Sequence, residues 1–237
     1  MYGWRARLGI IIPSVNTVME PEFNKMAPEG VSVHAARMMA LGKFEPKSLV
    51  EMAEETENAA KRLKQIADVI GWGCTSGSFV KGKGYDLEII DRIKKVTGLP
   101  ATTTSTAVIH ALKTLKVKKI AVATPYTEEV NDLLKKFLED NGFIVTNIKG
   151  LGVEVRGGQG VYHPSTTYRL SREVDSDEAE CIFISCTNFR SIEIIDQLEK
   201  DCQKPVISSN TATMWHMLKL AGINENIKGF GTLLEKY

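Results

Sequence analysis

Two cysteines stand at equivalent places in this sequence and have the chemistry to act together. Cys74 and Cys186 each end an apolar run, and each is followed by a threonine and a further small polar residue. A thiol attacks as its thiolate, and a helix N-terminus or a nearby positive charge lowers its pKa. One cysteine of such a pair can therefore attack or deprotonate while the other donates a proton. The residue types predict two-sided proton or nucleophile chemistry.

The spacing of the two cysteine segments indicates an internal duplication. An offset of 112 residues relates Cys74 to Cys186 and also Pro13 to Pro125. After the cysteines the offset becomes 105, as in the tetrapeptide Glu-Ile-Ile-Asp, which begins at position 88 and again at position 193. The first copy therefore carries seven extra residues, and we place them in a loop around residues 77–83 because that stretch contains glycine and lysine.

The elements that must position the thiols follow from the hydrophobic pattern. Short apolar runs alternate with amphipathic segments along the chain, and this alternation is typical of parallel strands joined by right-handed helical crossovers. In open α/β sheets, ligands bind at the carboxyl ends of the strands. Because Cys74 and Cys186 each follow a strand, we predict an α/β fold whose two halves face each other across a cleft with approximate two-fold symmetry.

The duplication also predicts how the chain is divided. We expect residues 1–112 together with residues 206–237 to form the first α/β domain, and residues 113–205 to form the second. The same patterns predict one long helix that starts at Pro46 and runs to about Ile66, and a closing strand over residues 228–234.

Composition and charge exclude several classes of function. Hydrophobic content of 43% and charged content of 25% are globular averages, and no apolar run approaches the roughly 20 residues that span a bilayer. The net charge is +1, and no basic cluster is interleaved with aromatic residues, so we expect no nucleic-acid partner. The four cysteines lack metal-ligand spacing. We expect a cytoplasmic protein, without a signal peptide, that requires no metal or organic cofactor.

Short polar side chains beside the cysteines are suited to hold an acidic substrate. Their hydroxyl and amide groups can hold a carboxylate or a developing enolate-like anion. The candidates are Thr75, Ser76, Thr187, Asn188 and Asn210. Arg156 lies in a glycine-rich stretch, residues 150–160, that cannot form a regular helix and is expected to be an active-site loop. An arginine there can clamp a carboxylate with two hydrogen bonds.

Two further candidates lie on strand-to-helix turns of the two copies, Asn16 in the first and Tyr126 in the second. Each candidate also has an ordinary structural interpretation. Asparagine is a favoured helix cap, and a cysteine that closes a buried strand often serves only as a small apolar residue. The repetition of Cys-Thr at equivalent positions favours a functional pair over two unrelated core thiols.

Four segments resemble the motifs of the aspartate/glutamate racemase superfamily, most closely its maleate isomerase and arylmalonate decarboxylase branch. They are PSVNTVME at 13–20, GCTSGS at 73–78, ISCTNFR at 184–190 and PVISSN at 205–210. The resemblance covers nearly the whole chain. It implies two similar Rossmann-like, or flavodoxin-like, domains with parallel sheets that enclose the site, and cofactor-independent chemistry on small carboxylic acids.

For a maleate isomerase, the resemblance implies a role for each cysteine. Cys74 adds to the double bond, Cys186 acts as the proton partner, and rotation followed by elimination gives the trans diacid; Asn16 and Tyr126 bind carboxylates. One departure is that isomerases of this type place an Asp-Asn pair after the Gly-Leu-Gly run, where this chain has GLGVEVRGG at 150–158. The decarboxylase branch keeps only the second-half cysteine, so decarboxylation is disfavoured.

The sequence therefore predicts a cofactor-independent isomerase of a small carboxylic acid, with maleate-type cis–trans isomerisation through two opposed cysteines as the first hypothesis. The alternatives are a two-cysteine α-carbon racemase of the amino-acid or hydantoin type, an arylmalonate-type decarboxylase, and a non-catalytic accessory protein that binds small acids. The expected partner is a small carboxylate substrate, with no membrane partner, and the fold is compatible with a homo-oligomer.

Overall fold

Two parallel four-stranded sheets form the centre of the molecule in the computed structural model, which describes residues 2–237. The first sheet contains β1 (Ala6–Pro13), β2 (Val31–Met38), β3 (Val69–Trp72) and β4 (Ala101–Thr103), in the order β2-β1-β3-β4. The second contains β5 (Lys119–Thr124), β6 (Ile144–Gly150), β7 (Cys181–Ile184) and β8 (Val206–Ser208), in the order β6-β5-β7-β8. The two orders match strand for strand, which confirms the predicted α/β fold with two similar halves.

Eleven helices within the described residues connect and cover these strands. They are α1 (Met19–Met26), α2 (Pro46–Ala53), α3 (Thr56–Leu63), α4 (Thr75–Phe79), α5 (Tyr85–Thr97), α6 (Thr104–Thr114), α7 (Glu128–Asp140), α8 (Pro164–Val174), α9 (Ile195–Cys202), α10 (Ser209–Leu220) and α11 (Thr232–Lys236). The repeat seen in the sequence is structural, because β3 and β7 are offset by 112 residues and β4 and β8 by 105.

The strands that deliver the two cysteines lie in the cores of their sheets. Every residue of β3 and of β7 is buried, and each strand is paired on both sides, β3 with β1 and β4, and β7 with β5 and β8. Helices cover both faces of such a sheet, so its central strands are continuous apolar runs without alternation. This burial fixes where the chain leaves each strand, and therefore where each cysteine lies.

The structure corrects one boundary of the predicted domains. Residues 206–208, assigned from the sequence to the first domain, form β8 and pair with β7 in the second sheet. The following helix, α10, packs instead against β3 and β4 of the first sheet, where Met217 fills the space that a side chain on Gly71 would occupy. We propose that the chain crosses between the halves after β8, where α10 begins, and not at residue 206.

Two other predictions about local structure are wrong. The segment after Pro46 is not one helix, because α2 ends at Ala53 and α3 begins at Thr56. At the break, the Thr56 hydroxyl donates to the Ala53 carbonyl oxygen (2.7 Å) and accepts from the indole N–H of buried Trp72 (3.0 Å). The C-terminal segment forms the short helix α11 where a strand was predicted.

Candidate active site

The cleft between the two halves holds a cavity that both cysteines line. The space between its lining atoms, including the part that is open to solvent, is about 380 Å³. Of the ten site residues predicted from the sequence, nine line it: Asn16, Cys74, Thr75, Ser76, Tyr126, Arg156, Cys186, Thr187 and Asn188. The first half contributes one thiol and the second half the other.

Cys186 is held in a backbone conformation that side-chain-bearing residues rarely adopt. Its φ is +135°, and such a conformation costs on the order of 1–3 kcal/mol unless the surrounding structure imposes it. Its N–H donates to the hydroxyl of Ser209 (2.9 Å), and that hydroxyl also accepts from Thr75 of the first half (2.9 Å). Ser209 thus ties the turn after β7 to the turn after β3, and the two cysteines keep a fixed relation.

The two thiols have different electrostatic surroundings. Burial raises the pKa of Cys186 to about 12, opposed by the Asn188 N–H and by a hydrogen bond with Tyr126. Burial also raises the pKa of Cys74, but there the Gly77 N–H, the Ser76 hydroxyl and the charge of Arg156 all favour the thiolate. The positive charge makes Cys74 the better candidate for a nucleophile. Cys186 keeps its proton at neutral pH and is the better candidate for an acid.

Tyr126 lies deep in the cavity beside Cys186. The Ser185 hydroxyl donates to its phenol oxygen (3.4 Å), which leaves the phenol's own proton free to be donated. Burial, followed by the proximity of Cys186, raises the Tyr126 pKa well above its ordinary value, so the phenol stays protonated. Its ring stacks on Phe44, with centroids 5.6 Å apart. Tyr126 is therefore a fixed neutral donor.

The asparagine and threonine side chains near Cys186 are largely occupied with one another. The Asn16 amide donates to the Thr187 hydroxyl (3.0 Å), and that hydroxyl donates to the Gly73 carbonyl oxygen (3.0 Å). The other end of Asn16 accepts from the N–H groups of Val18 (3.0 Å) and Met19 (2.9 Å), at the start of α1. Asn16 thus holds the turn that leads into α1, and it retains one amide hydrogen for a ligand.

Asn188 joins the two halves in the same way. Its side-chain oxygen accepts from the Thr17 N–H (2.9 Å), and its amide donates to the Gly157 carbonyl oxygen (3.3 Å). Gly160, in the same loop as Gly157, packs against these side chains. A side chain at position 160 would collide with Thr17 and Asn188. The glycine-rich loop is therefore seated against the segment that carries Cys186, as an active-site loop requires.

Arg156 extends from this loop into the cavity and is half-buried. Its guanidinium donates to the Lys43 carbonyl oxygen (3.2 Å), to the Ser48 hydroxyl and to the Met52 sulfur (3.9 Å), while its Nε has no partner in the part of the chain that is described. All of these partners are neutral. Of the cavity-lining residues within 2–237, only Arg156 carries a formal charge, and its positive charge favours an anionic ligand.

Gln159 is a cavity residue that the sequence analysis missed. It lies on a single 3₁₀ turn, Gly158–Val161, its side chain is only 3% exposed, and its amide nitrogen has no hydrogen-bond partner among the described residues. An unpaired buried donor costs about 1–3 kcal/mol, so a ligand that supplies an acceptor is stabilised there. The signal in the sequence was a lone polar residue among glycines.

Asn210, which was predicted to bind substrate, does not line the cavity. Its amide nitrogen donates to the Glu22 carboxylate (2.6 Å) and to the Thr187 carbonyl oxygen (3.1 Å). The prediction failed because Asn210 is the second residue of α10, and this helix turns its side chain away from the cavity.

Within residues 2–237, no group of three or more His, Cys, Asp or Glu side chains could hold a metal ion. In the same part of the chain, no helix is long and apolar enough to cross a bilayer.

Comparison with known proteins assigns this arrangement to a family. The family model for arylmalonate decarboxylase matches residues 8–234, which is nearly the whole chain. The chain belongs to the arylmalonate decarboxylase family. Membership of this family confirms the resemblance drawn from the four motifs. The function of this member must account for its two cysteines, each of which follows a central strand.

Relatives of this arylmalonate decarboxylase family member include enzymes of two activities. It is 29% identical over 235 residues to arylmalonate decarboxylase of Bordetella bronchiseptica, covering 97% of this chain and 96% of the relative. It is 26% identical over 242 residues to maleate isomerase of Pseudomonas putida KT2440, covering 96% of each. The crystal structure of a mutant maleate isomerase of Pseudomonas putida S16 with maleate superposes with a TM-score of 0.93, at 27% identity and 97% coverage of each chain.

Proposed function

We propose that this protein is a cofactor-independent isomerase that converts a small cis-unsaturated dicarboxylate of the maleate type to its trans isomer. The observation that carries the proposal is that Cys74 and Cys186, delivered by equivalent strands of the two halves, line a single cavity. A cation and an unpaired buried amide lie in the same cavity. Relatives that isomerise maleate support this choice.

The first step is addition of Cys74 to the double bond. The Cys74 thiolate forms a bond to one alkene carbon, and the two π electrons move to the other carbon, next to its carboxylate. Arg156 promotes this step in two ways. It favours the thiolate over the thiol, and it stabilises the negative charge that develops on the carboxylate.

The second step uses Cys186 as an acid and then as a base. Its thiol gives a proton to the carbanion and leaves a saturated thioether on Cys74, in which the former double bond rotates freely. The Cys186 thiolate then removes a proton from the same carbon, the π bond re-forms in the trans geometry, and the bond to Cys74 breaks. Both cysteines return to their starting states, and no atom is gained or lost.

The carboxylates of the substrate are held by donors that still have a hydrogen to give. Arg156 Nε and the Gln159 amide lie on the loop side of the cavity, and Tyr126 and Asn16 lie on the strand side. We assign one carboxylate to each side. Thr75, Ser76, Thr187 and Asn188 shape the floor between them and fix the two thiols.

Incubation in deuterated water followed by proton NMR tests the proposed reaction. Loss of the cis-alkene signal with growth of a trans-alkene signal is the expected result for maleate and its close analogues. The same two thiols could instead exchange a proton at a saturated α-carbon. Deuterium entering the α-carbon of an amino acid or hydantoin would identify the activity as racemisation and not isomerisation. Release of carbon dioxide from an arylmalonate would indicate decarboxylation, and tight binding without turnover would indicate an accessory protein.

Replacement of Gln159 by alanine is expected to raise KM by about 10- to 100-fold, with a smaller effect on kcat. A hydrogen bond to a charged group contributes about 1.5–3 kcal/mol, and each 1.4 kcal/mol is about tenfold in affinity. Because the amide is unpaired in the free protein, its removal breaks no hydrogen bond of the fold. Steady-state kinetics checks this, with exposed Gln197→Ala as the control. An unchanged KM, or equal losses in the two variants, would remove Gln159 from the site.

A cytoplasmic location and assembly into a homo-oligomer are part of the same proposal. Cell fractionation with an antibody to the protein tests the first, and light scattering of the purified protein tests the second. A membrane-associated or secreted pool would contradict the first, and a strictly monomeric species would contradict the second.

A further inference from the structure

A buried carboxylate outside the cavity joins three parts of the site. Glu22, on α1, is 4% exposed. One of its oxygens accepts from the N–H groups of Ser191 (2.8 Å) and Ile192 (3.4 Å), and the other accepts from the Asn210 amide (2.6 Å). We define residues 186–192 as the Cys186 loop. Glu22 binds the C-terminal end of this loop directly. It binds the N-terminal end through Asn210, which also donates to the Thr187 carbonyl oxygen (3.1 Å).

We propose that Glu22 is a positioning residue for Cys186, whose carboxylate holds both ends of the Cys186 loop in place for proton transfer. The proposal rests on the proposed function for its catalytic consequence, but its structural part stands without it. α1 follows the first strand of the first half, and the Cys186 loop belongs to the second half. Glu22 is therefore a second connection between the halves, in addition to Ser209.

The groups that hydrogen-bond to Glu22 are all donors. Two backbone N–H groups reach one carboxylate oxygen, and the Asn210 amide reaches the other. Rotating the Asn210 amide would offer its oxygen, which is unpaired among the described residues. That rotation would place the oxygen against the Thr187 carbonyl oxygen, which now accepts from the amide. The Asn210 amide therefore keeps the orientation in which it donates to both Glu22 and Thr187.

Burial of Glu22 disfavours the ionised form of its carboxyl group. Burial raises its pKa to about 7, opposed by the donors Asn210, Ser191 and Ile192, and the negative charge of Glu193 raises it further. Glu193 is itself paired with Arg190 of the loop (2.9 Å) and with Lys25 of α1 (3.8 Å). These three charged groups line the pocket that Glu22 also lines, and α10 faces Glu22 with the uncharged Asn210. An exposed carboxyl has a lower pKa, so the closed loop binds this proton more tightly than an opened, hydrated loop does. The loop should thus loosen as the pH rises through neutrality.

The test is site-resolved hydrogen–deuterium exchange combined with kinetics on the full chain. In Glu22→Gln, the Ser191 and Ile192 amides should exchange about tenfold faster or more than in the wild type, because one of the two accepting oxygens becomes an NH₂ group that meets an N–H donor. Exposed Glu29→Gln is the matched control and should leave these amides unchanged. In the wild type, the protection of the same two amides, corrected for intrinsic exchange, should rise as the pH is lowered from about 8 to about 6, because the buried carboxyl binds a proton in this range and an exposed carboxyl does not.

Kinetics separates positioning from a merely structural role. Glu22→Gln should lower kcat with little change in KM, and the pH dependence of the amide protection should disappear in the variant. Unchanged exchange at Ser191 and Ile192 in the variant, or wild-type protection that does not vary with pH, would overturn the proposal. Faster exchange with an unaltered kcat would also overturn it. If no substrate is turned over by the wild type, the proposed function fails while the exchange data still decide the role of Glu22. If Glu22→Gln does not fold, the wild-type pH series decides it.

Discussion

Cys74→Ala is expected to abolish isomerisation, with a fall in kcat of about 10³-fold or more, because the other thiol of the cavity, Cys186, keeps its proton and is a poor nucleophile. Cys74→Ser should be almost as inactive, since a serine hydroxyl is far harder to ionise than a thiol and Arg156 cannot make up the difference. Proton NMR of the cis and trans alkene signals over long incubations measures the residual rate.

The control for this prediction is Cys202→Ala. Cys202 ends α9, is partly exposed and does not line the cavity, so its removal should leave kcat and KM unchanged. Isothermal titration with the trans product should show that Cys74→Ala still binds ligand within a few-fold of the wild type. Turnover by Cys74→Ala at a rate close to the wild type would contradict the assignment of Cys74 as the nucleophile.

Cys186→Ser is expected to stop turnover at the covalent stage, with kcat lowered by about 10²- to 10⁴-fold, the usual contribution of a positioned acid and base. The Cys74 thiolate still adds to the alkene in this variant, and water slowly supplies the proton that Cys186 would have given. The thioether then lacks the base that starts elimination. The variant should accumulate an adduct on Cys74 that increases the protein mass by one substrate molecule.

Intact-protein mass spectrometry detects that adduct, and peptide mapping places it. The double variant Cys74→Ala with Cys186→Ser is the matched control and should show no mass increase, although it keeps the cavity. An adduct on a different residue, or a Cys186→Ser variant that turns over normally without an adduct, would contradict the division of roles between the two thiols. Rapid racemisation of an amino acid by the wild-type protein would show that the reaction is racemisation and not isomerisation.

The sequence alone determined the architecture and the place of the two strand-end cysteines in it. Hydrophobic periodicity and a constant offset are properties of the chain order, and strands of equal offset take equal places in two sheets. Because the carboxyl ends of parallel strands meet at one edge, Cys74 and Cys186 could be assigned to a common cleft from their positions after β3 and β7. The sequence did not show where the predicted long helix is interrupted after Ala53. At that break, the indole of Trp72, which is distant in sequence, donates a hydrogen bond to Thr56.

Only the tertiary structure decided which polar side chains face the cavity. Asn210 and Gln159 have the same amide group, yet Asn210 is turned by α10 toward Glu22, while a 3₁₀ turn directs Gln159 into the cleft with its nitrogen unpaired. The φ of +135° at Cys186 depends in the same way on Ser209, a residue 23 positions later in the chain. Such orientations are set by packing between segments that are far apart in sequence, and no local pattern of residue types encodes them.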